Sequence, residues 1–459
     1  MSTFFVTIGE DIVARNILDT DFASVFFGAT VNDRVVLLVQ PDKVSFFQEK
    51  YKEYSHVSVE GFTRSRATKI ESLLMSLARS GLDTHTNLWS KMRSYKRGDS
   101  SFFDTYIKRV HTKTLAQFGW YKNLLRKSIL KTSSDTNALL LIDKYKPDAL
   151  LSLSLTNFEF DVPIAKTCKQ KKIPIYGCVR SWDNLSSHGL LRVLPDKLFL
   201  QNSFLKEMAR GVQVIPESVP IELFGVPHYD ALFGFTKPQE SRDEFCKRKG
   251  LDSAKKILSY GAMGTFLFMH EAELPEVFEG MVSRGDFGPD VQVLYRAHPK
   301  FMINDDVADG LQHVVMDTKG KYVNTQEAQS KKNQNEDLVS ILYYSDVVLT
   351  GASTIAIDGA VLNRPIVCIA FDGSTPYEQV NYWESVRRFY DLYTHFEELV
   401  QQEGVVVAYA QEELGKAVCA YMETPELHAE GRKKIVERFI EPFDGNAGKR
   451  LAQLFVERL

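Results

Sequence analysis

Residues 337–372 read DLVSILYYSDVVLTGASTIAIDGAVLNRPIVCIAFD, and this stretch decides the fold. Asp346–Thr350 is a short β-rich run, Gly351-Ala352-Ser353-Thr354 a turn of small residues entering a helix, and Ile366–Ala370 a second apolar run. Asp337 is expected to cap a preceding helix whose apolar positions Leu338, Ile341 and Leu342 face a core. Strand, tight turn, helix and strand make a parallel β-α-β unit. Its turn points backbone N–H groups and the positive end of the helix dipole out of the sheet's carboxyl edge. Ser353 and Thr354 can donate to a phosphate there without blocking its approach. Asp358, four residues beyond Thr354 on the same helix face, suits hydrogen bonds to ribose hydroxyls. An ordinary N-cap at Ser353 and a solvated charge at Asp358 explain this stretch equally well taken alone.

Two further strand ends in the same half carry compatible chemistry. Lys256–Tyr260 runs into Gly261-Ala262-Met263-Gly264, and Val291–Tyr295 runs into Arg296-Ala297-His298-Pro299-Lys300. Glycines punctuate most βα turns, so Gly261 and Gly264 gain meaning only in company. Arg296, His298 and Lys300 would bring cationic donors to the same edge, where phosphate contact outweighs a structural role for the histidine. Val314–Met316 completes the second-half strands, and the polar stretch Thr318–Asp337 is expected to be an exposed loop.

In the first half Phe4–Ile8, Arg34–Gln40, Ala149–Leu153, Ile173–Tyr176 and Lys197–Leu200 read as strands. Several are apolar throughout, as in a sheet covered by helices on both faces. After Ile173–Tyr176 comes CVRSWDNLSSHG, Cys178 to Gly189. Trp182, Asp183, Asn184 and His188 in one polar loop at a strand's carboxyl end point to function more than to a plain Asx turn. The polar segment Gly234 to Phe245 marks a boundary. The expected domains are residues 1–235 with a helical insertion at about 73–144, residues 236–440, and a terminal helix in 441–459 carrying Ala447, Leu451, Leu454 and Phe455.

Composition fits a folded α/β protein: 459 residues, 44% hydrophobic, 25% charged and a formal charge of −3. That balance argues against nucleic acid as a partner. The five cysteines are odd in number and widely spaced, as in a reduced cytoplasmic protein, and no Cys/His cluster proposes a metal. The opening MSTFFVTIGEDI has no basic residue and does not read as a signal peptide, and no apolar run approaches a membrane span. A cytoplasmic location is therefore expected. Lys91–Lys131 stands apart, with eleven bases against Asp99 and Asp104 and with Phe102, Phe103, Tyr106, Phe118, Trp120 and Tyr121 interleaved. It reads equally as a solvated helical face or as a surface for anionic lipid headgroups at the inner face of the membrane.

From about residue 145 onward an ordered set of motifs carries a family resemblance. They are WDN at 182–184, PDKLFLQN at 195–202, GVPHYD at 225–230, RAHPK at 296–300, SDVVLTGASTIAIDGAVLNRP at 345–365 and FDG at 371–373. The set resembles the GT-B glycosyltransferases, in the branch of the CDP-glycerol glycerophosphotransferases and UDP-GlcNAc 2-epimerases. Before residue 145 only an opening strand and a helix at Ala14–Leu18 match. The resemblance implies two Rossmann-like domains facing across a cleft, the donor's nucleotide on the second and the acceptor on the first. By that analogy His298, Ser353 and Thr354 contact phosphate, Asp358 the ribose, and no cofactor or metal is needed beyond the nucleotide-activated donor. Asp183 and His188 are then the candidates for the base on the acceptor hydroxyl. The expected activity is transfer of a sugar from a nucleotide donor to a glycan or lipid-linked acceptor. The alternatives are a CDP-polyol phosphotransferase and a non-catalytic nucleotide-binding protein. A 2-epimerase would leave Lys91–Lys131 without a use.

Overall fold

The computed structural model describes residues 1–298, 310–317 and 332–457. The chain divides into two compact units, Met1–Phe233 with Glu437–Leu459, and Gly234–Val436.

The first unit holds β1 (Thr3–Ile8), β2 (Arg34–Val39), β3 (Val57–Gly61), β4 (Ala149–Ser152), β5 (Ile175–Cys178), β6 (Lys197–Leu200) and β7 (Ile221–Leu223). They pair in parallel in the order β3-β2-β1-β4-β5-β6-β7. Phe5 belongs to one hydrophobic cluster and Phe4 and Val6 to the other, so successive side chains of β1 feed cores on opposite faces. This is why the strand is buried at every position, with Phe4, Phe5, Val6 and Ile8 supplying apolar side chains to both faces. The helix Ala447–Val456 returns to this unit: Leu451, Ala452 and Phe455 enter its core, and the Phe455 ring meets Phe4, Phe26 and Tyr176 at 5.3–6.0 Å.

Between β3 and β4 lie five helices, Lys69–Arg79, His85–Lys96, Phe102–Lys113, Gly119–Leu130 and Thr136–Tyr145. Four start on a side-chain cap that satisfies an otherwise orphaned backbone N–H: Thr68, Thr84, Ser101 and Asp135.

The second unit holds β8 (Lys256–Gly261), β9 (Val291–Arg296), β10 (Val314–Met316), β11 (Val347–Thr350), β12 (Ile366–Ile369) and β13 (Val406–Ala408). These are also parallel, in the order β10-β9-β8-β11-β12-β13. In each sheet the order reverses once, between β1 and β4 and between β8 and β11. Parallel α/β sheets bind ligands outside the carboxyl ends of the strands at that reversal.

Several readings need correction. Strands β3, β7 and β13 escape the sequence because they lie at sheet edges or are half-exposed and lack a continuous apolar run. β5 runs two residues later than expected, at Ile175–Cys178. The helix before β11 begins at Lys332, so Asp337 is inside it and caps nothing; residues 332–337 are helical, and 318–331 lie outside the described residues. Cys168, Cys178, Cys246 and Cys368 are buried, Cys419 is half-buried, and all five are unbridged. Among the described residues no helix is long and apolar enough to cross a membrane.

Candidate functional site

Pairing register assembles the second-unit site. Gly261, the last residue of β8, stands opposite Arg296 of β9 on one side and Thr350 of β11 on the other, and Thr350 stands opposite Cys368 of β12. The turns that follow therefore leave one sheet edge at one level. The Thr350 hydroxyl donates to the Gly261 carbonyl at 3.0 Å, pinning β11 to β8 where the order reverses.

The two central turns interlock through their glycines. A Cβ on Gly261 would lie 2.1 Å from Ile355 Cδ1, and one on Gly351 would lie 2.2 Å from Met263 Sδ. Any side chain at Gly261 would have to displace the tip of Ile355. Gly264, with φ +92°, turns the chain in a backbone region that L side chains rarely adopt. The N–H groups of Met263 and Gly264 do not point into solvent. Both donate to the buried carboxylate of Glu271 at 2.6 Å, and the Tyr260 hydroxyl donates to it at 2.7 Å. Gly264 therefore offers a phosphate no free N–H, and its expected role is corrected to holding the turn. Burial pushes the Glu271 carboxyl up to about 7 against the lowering effect of its three donors. No sequence pattern announces Glu271, which lies in the short 3-10 helix Met269–Glu273.

Ser353 and Thr354 enter the helix Ile355–Val361 at this edge, Ser353 half-buried and Thr354 exposed. The Ser353 hydroxyl accepts weakly from the Ile355 N–H at 3.4 Å, leaving its own hydrogen for another acceptor. Asp358 is half-buried one turn further on.

Arg296 departs from expectation. Its Nη1 donates to Asp317 at 3.0 Å and to Asp337 at 2.6 Å. Lys249 bonds to both acids, and Arg248 to Asp337 at 2.6 Å. Burial opposes ionisation of Asp337, but these cations hold it down at about 2. Arg296 thus ties β9 to the helix Lys332–Tyr344, and its charge is already matched. His298 follows β9 by two residues, half-buried at the same edge. Lys300 lies outside the described residues.

The turn after β12 completes the edge. Asp372 is buried and accepts from Ser385 Oγ at 2.5 Å and Val386 N–H at 2.8 Å. Ser374 donates through both its N–H and its hydroxyl to Glu273, which also meets His270 at 2.7 Å. The turn that follows FDG is thus clamped to the 3-10 helix containing Glu271.

In the first unit the loop after β5 divides into structural and accessible residues. Trp182 is buried with its ring edge-on to Phe439 at 5.1 Å, and Asn184 is wholly buried beside Thr156 at 3.3 Å. Both are core, against the reading that placed them in a functional loop. Asp183 and His188 are half-buried. Asp183 accepts from Ser187 Oγ at 2.9 Å and Asn184 Nδ2 at 3.1 Å, fixing its carboxylate. His188 is pushed below its ordinary value by burial first, with Asp183 opposing and Arg180, Arg192 and Arg79 reinforcing. It is therefore neutral at neutral pH and able to take a proton. Gln213 braces the loop, donating to the carbonyls of Leu185 and Gly189 and accepting from the Leu191 N–H.

Lys91–Lys131 is also not what its charge suggests. Arg126 is buried and donates to the carbonyls of Leu191, Gln213 and Val214, Lys122 donates to the Val212 carbonyl, and Lys91 to Thr112. Lys108 and Lys113 pair with Asp104 and Asp83. The aromatic side chains face outward instead: Phe102, Phe103 (72% exposed), Tyr106, Phe118 and Trp120 (60%), with Ile107, Val110 and Leu124.

Two parallel sheets, each reversing its strand order once, define a fold of the GT-B type. The family model for CDP-Glycerol:Poly(glycerophosphate) glycerophosphotransferase matches residues 196–457, more than half of the chain, and the chain belongs to that family. No curated protein matches it. Among solved structures, a putative UDP-N-acetylglucosamine 2-epimerase from Listeria monocytogenes is similar with a TM-score of 0.53 at 12% identity, over 100% of this chain and 97% of that one. The S. aureus MnaA–UDP co-structure is similar with a TM-score of 0.51 at 11% identity, over 100% and 98%. At such identities the likeness establishes the fold.

Proposed function

We propose that this enzyme transfers a group from a nucleotide-activated donor, held by the second unit, to a hydroxyl acceptor held by the first, in building a surface glycan or polymer. Family membership carries this reading, and the alignment of Gly261, Arg296 and Thr350 at one sheet edge supports it. His298, Ser353 and Thr354 are the residues proposed to meet the donor's phosphates, and Asp358 its ribose. In glycosyl transfer the acceptor oxygen attacks the anomeric carbon and a nucleoside diphosphate leaves. In polyol-phosphate transfer it attacks the β-phosphorus of a CDP-polyol and CMP leaves. In both, the acceptor proton passes to Asp183 or His188. The family match favours the second chemistry, and the released nucleotide decides between them by chromatography. Nucleotide binding without turnover on either donor class would mark a non-catalytic relative.

The transfer is proposed to run without a protein-bound divalent ion. Among the described residues no three His, Cys, Asp or Glu side chains are grouped as ligands, and cations with N–H dipoles are the natural partners of the leaving phosphate. Turnover abolished by EDTA and restored by magnesium would overturn this. The outward aromatic residues of 102–124, interleaved with Arg109 and Lys127, support peripheral docking on an anionic membrane, where a lipid-linked acceptor would be met.

A further inference from the structure

One side chain in the first unit is expensive where it stands. Arg192 is 2% exposed, yet its Nε has no hydrogen-bond partner, and its Nη1 reaches only the carbonyls of His188 and Leu190 at 3.4 and 3.3 Å. A buried arginine is ordinarily paired with an acid or, as Arg126 is, has its N–H groups taken up by carbonyls. Among the described residues Arg192 has no carboxylate at ion-pair distance. Glu159, which acts on it most favourably, is bonded to Arg64 at 3.2 Å. Its strongest neighbours after burial are two further arginines, Arg79 and Arg64, and together these push it down to about 10.

Arg79 is exposed and likewise has no acid partner among the described residues. Its guanidinium and that of Arg192 each lie 5.5 Å from the centre of the Phe158 ring. The backbone fixes this arrangement. Gly189 has φ +80°, and a Cβ there would lie 2.6 Å from the Arg79 Cα, while the Leu190 N–H donates to the Ala78 carbonyl at 2.8 Å. Only glycine lets the His188 loop close on the end of the helix Lys69–Arg79. Phe158 follows β4 and His188 follows β5, so the cluster stands at the carboxyl edge.

We propose that Arg79 and Arg192, stacked on Phe158 beside His188, form an anion site that takes a phosphoester group of the acceptor. This rests on the transferase reading above. The missing acid partner is then supplied by substrate, and two guanidinium groups offer the planar donor pairs that phosphate oxygens accept best. The phosphate also lies beside the two candidate bases, so the site would hold an acceptor hydroxyl near them.

The test uses the full chain, a short soluble glycerol-phosphate oligomer and phosphatidylglycerol vesicles, with CDP titrated separately. Arg79→Gln, at an exposed position, should weaken oligomer binding roughly tenfold or more while the Kd for CDP is unchanged. Arg192→Gln should do the same if circular dichroism shows it folded. Lys171→Gln, on an exposed lysine elsewhere, should bind as wild type. Failure of the wild type to bind oligomer, unchanged affinity in Arg79→Gln, or an equal loss in Lys171→Gln overturns the site. A loss confined to the vesicles also overturns it, by assigning the arginines to a lipid headgroup. Failure to bind CDP would sink the donor reading and leave the oligomer result standing by itself.

Discussion

The carboxylate of Glu271 accepts the backbone N–H of Gly264 at 2.6 Å. An acid inside the protein thus occupies donors that a parallel α/β fold commonly turns toward a ligand's phosphate. The turn at the reversal of the second sheet is set before any donor arrives. The proposed donor site therefore rests on the turn after β11 and on His298.

Replacing Glu271 by Gln should cost about 1–3 kcal/mol, since one oxygen that accepts a backbone N–H or the Tyr260 hydroxyl becomes an NH2 that can only donate. The pH dependence has a definite sign. Between about 4.5 and about 7 the unfolded chain loses this proton while the folded chain keeps it, so this group's contribution to stability falls as pH rises through that window. The gap in Tm between wild type and Glu271→Gln should therefore narrow from pH 5 to pH 7.5. A gap that stays constant would mean the folded carboxyl is ionised throughout.

His298→Ala should weaken nucleoside diphosphate binding by roughly 1.5–3 kcal/mol, the range for a charge-assisted hydrogen bond. Isothermal titration calorimetry reads this directly. Wild-type affinity in the variant removes His298 from the phosphate site.

Arg296→Gln should behave in the opposite way. Its charge is shared between Asp317 and Asp337, so loss of the pair should lower stability by roughly 1–2 kcal/mol, between exposed and buried cases. Nucleotide affinity should stay within about threefold of wild type, less than one hydrogen bond is worth. A large loss of affinity at normal stability would return Arg296 to the donor site.

Asp183→Asn and His188→Ala compete for the role of base. Whichever removes it should lower turnover by roughly 10²–10⁴-fold with CDP binding intact. If His188 is the base, activity should hold as pH falls to 6.5 and drop only below it, because burial and the nearby arginines keep the ring neutral there. Near-wild-type turnover in both variants would make the loop structural.

Phe103→Ser combined with Trp120→Ser should reduce co-sedimentation with phosphatidylglycerol vesicles without lowering Tm, since both side chains are exposed. Each aromatic withdrawn from the interface removes about 1.5–3 kcal/mol of burial. Binding unaffected by the double substitution, or a lowered Tm, would count against a membrane-facing surface.

Local pattern was enough for the two-sheet plan. β1, β2, β4, β6 and β8 to β12 announce themselves because burial in a covered sheet demands apolar runs, and the section between β3 and β4 reads as helical because it offers no such run; its five separate helices and their caps Thr68, Thr84, Ser101 and Asp135 emerge only in the structure. The carboxyl-edge positions of Gly261, His298, Ser353 and His188 follow from the same alternation of strand and helix. Partner choice is another matter, because it depends on contacts between residues from seven to hundreds of positions apart. Arg296 is matched by Asp317 and Asp337, Gly264 by Glu271, and Trp182 by Phe439 from the far end of the chain. A charge or an aromatic ring in a loop reads the same in sequence whether it faces solvent or a buried partner. Only the tertiary structure settles which, and here it turned Arg296, Trp182 and Asn184 inward while leaving Arg79 and Arg192 without an acid at ion-pair distance among the described residues.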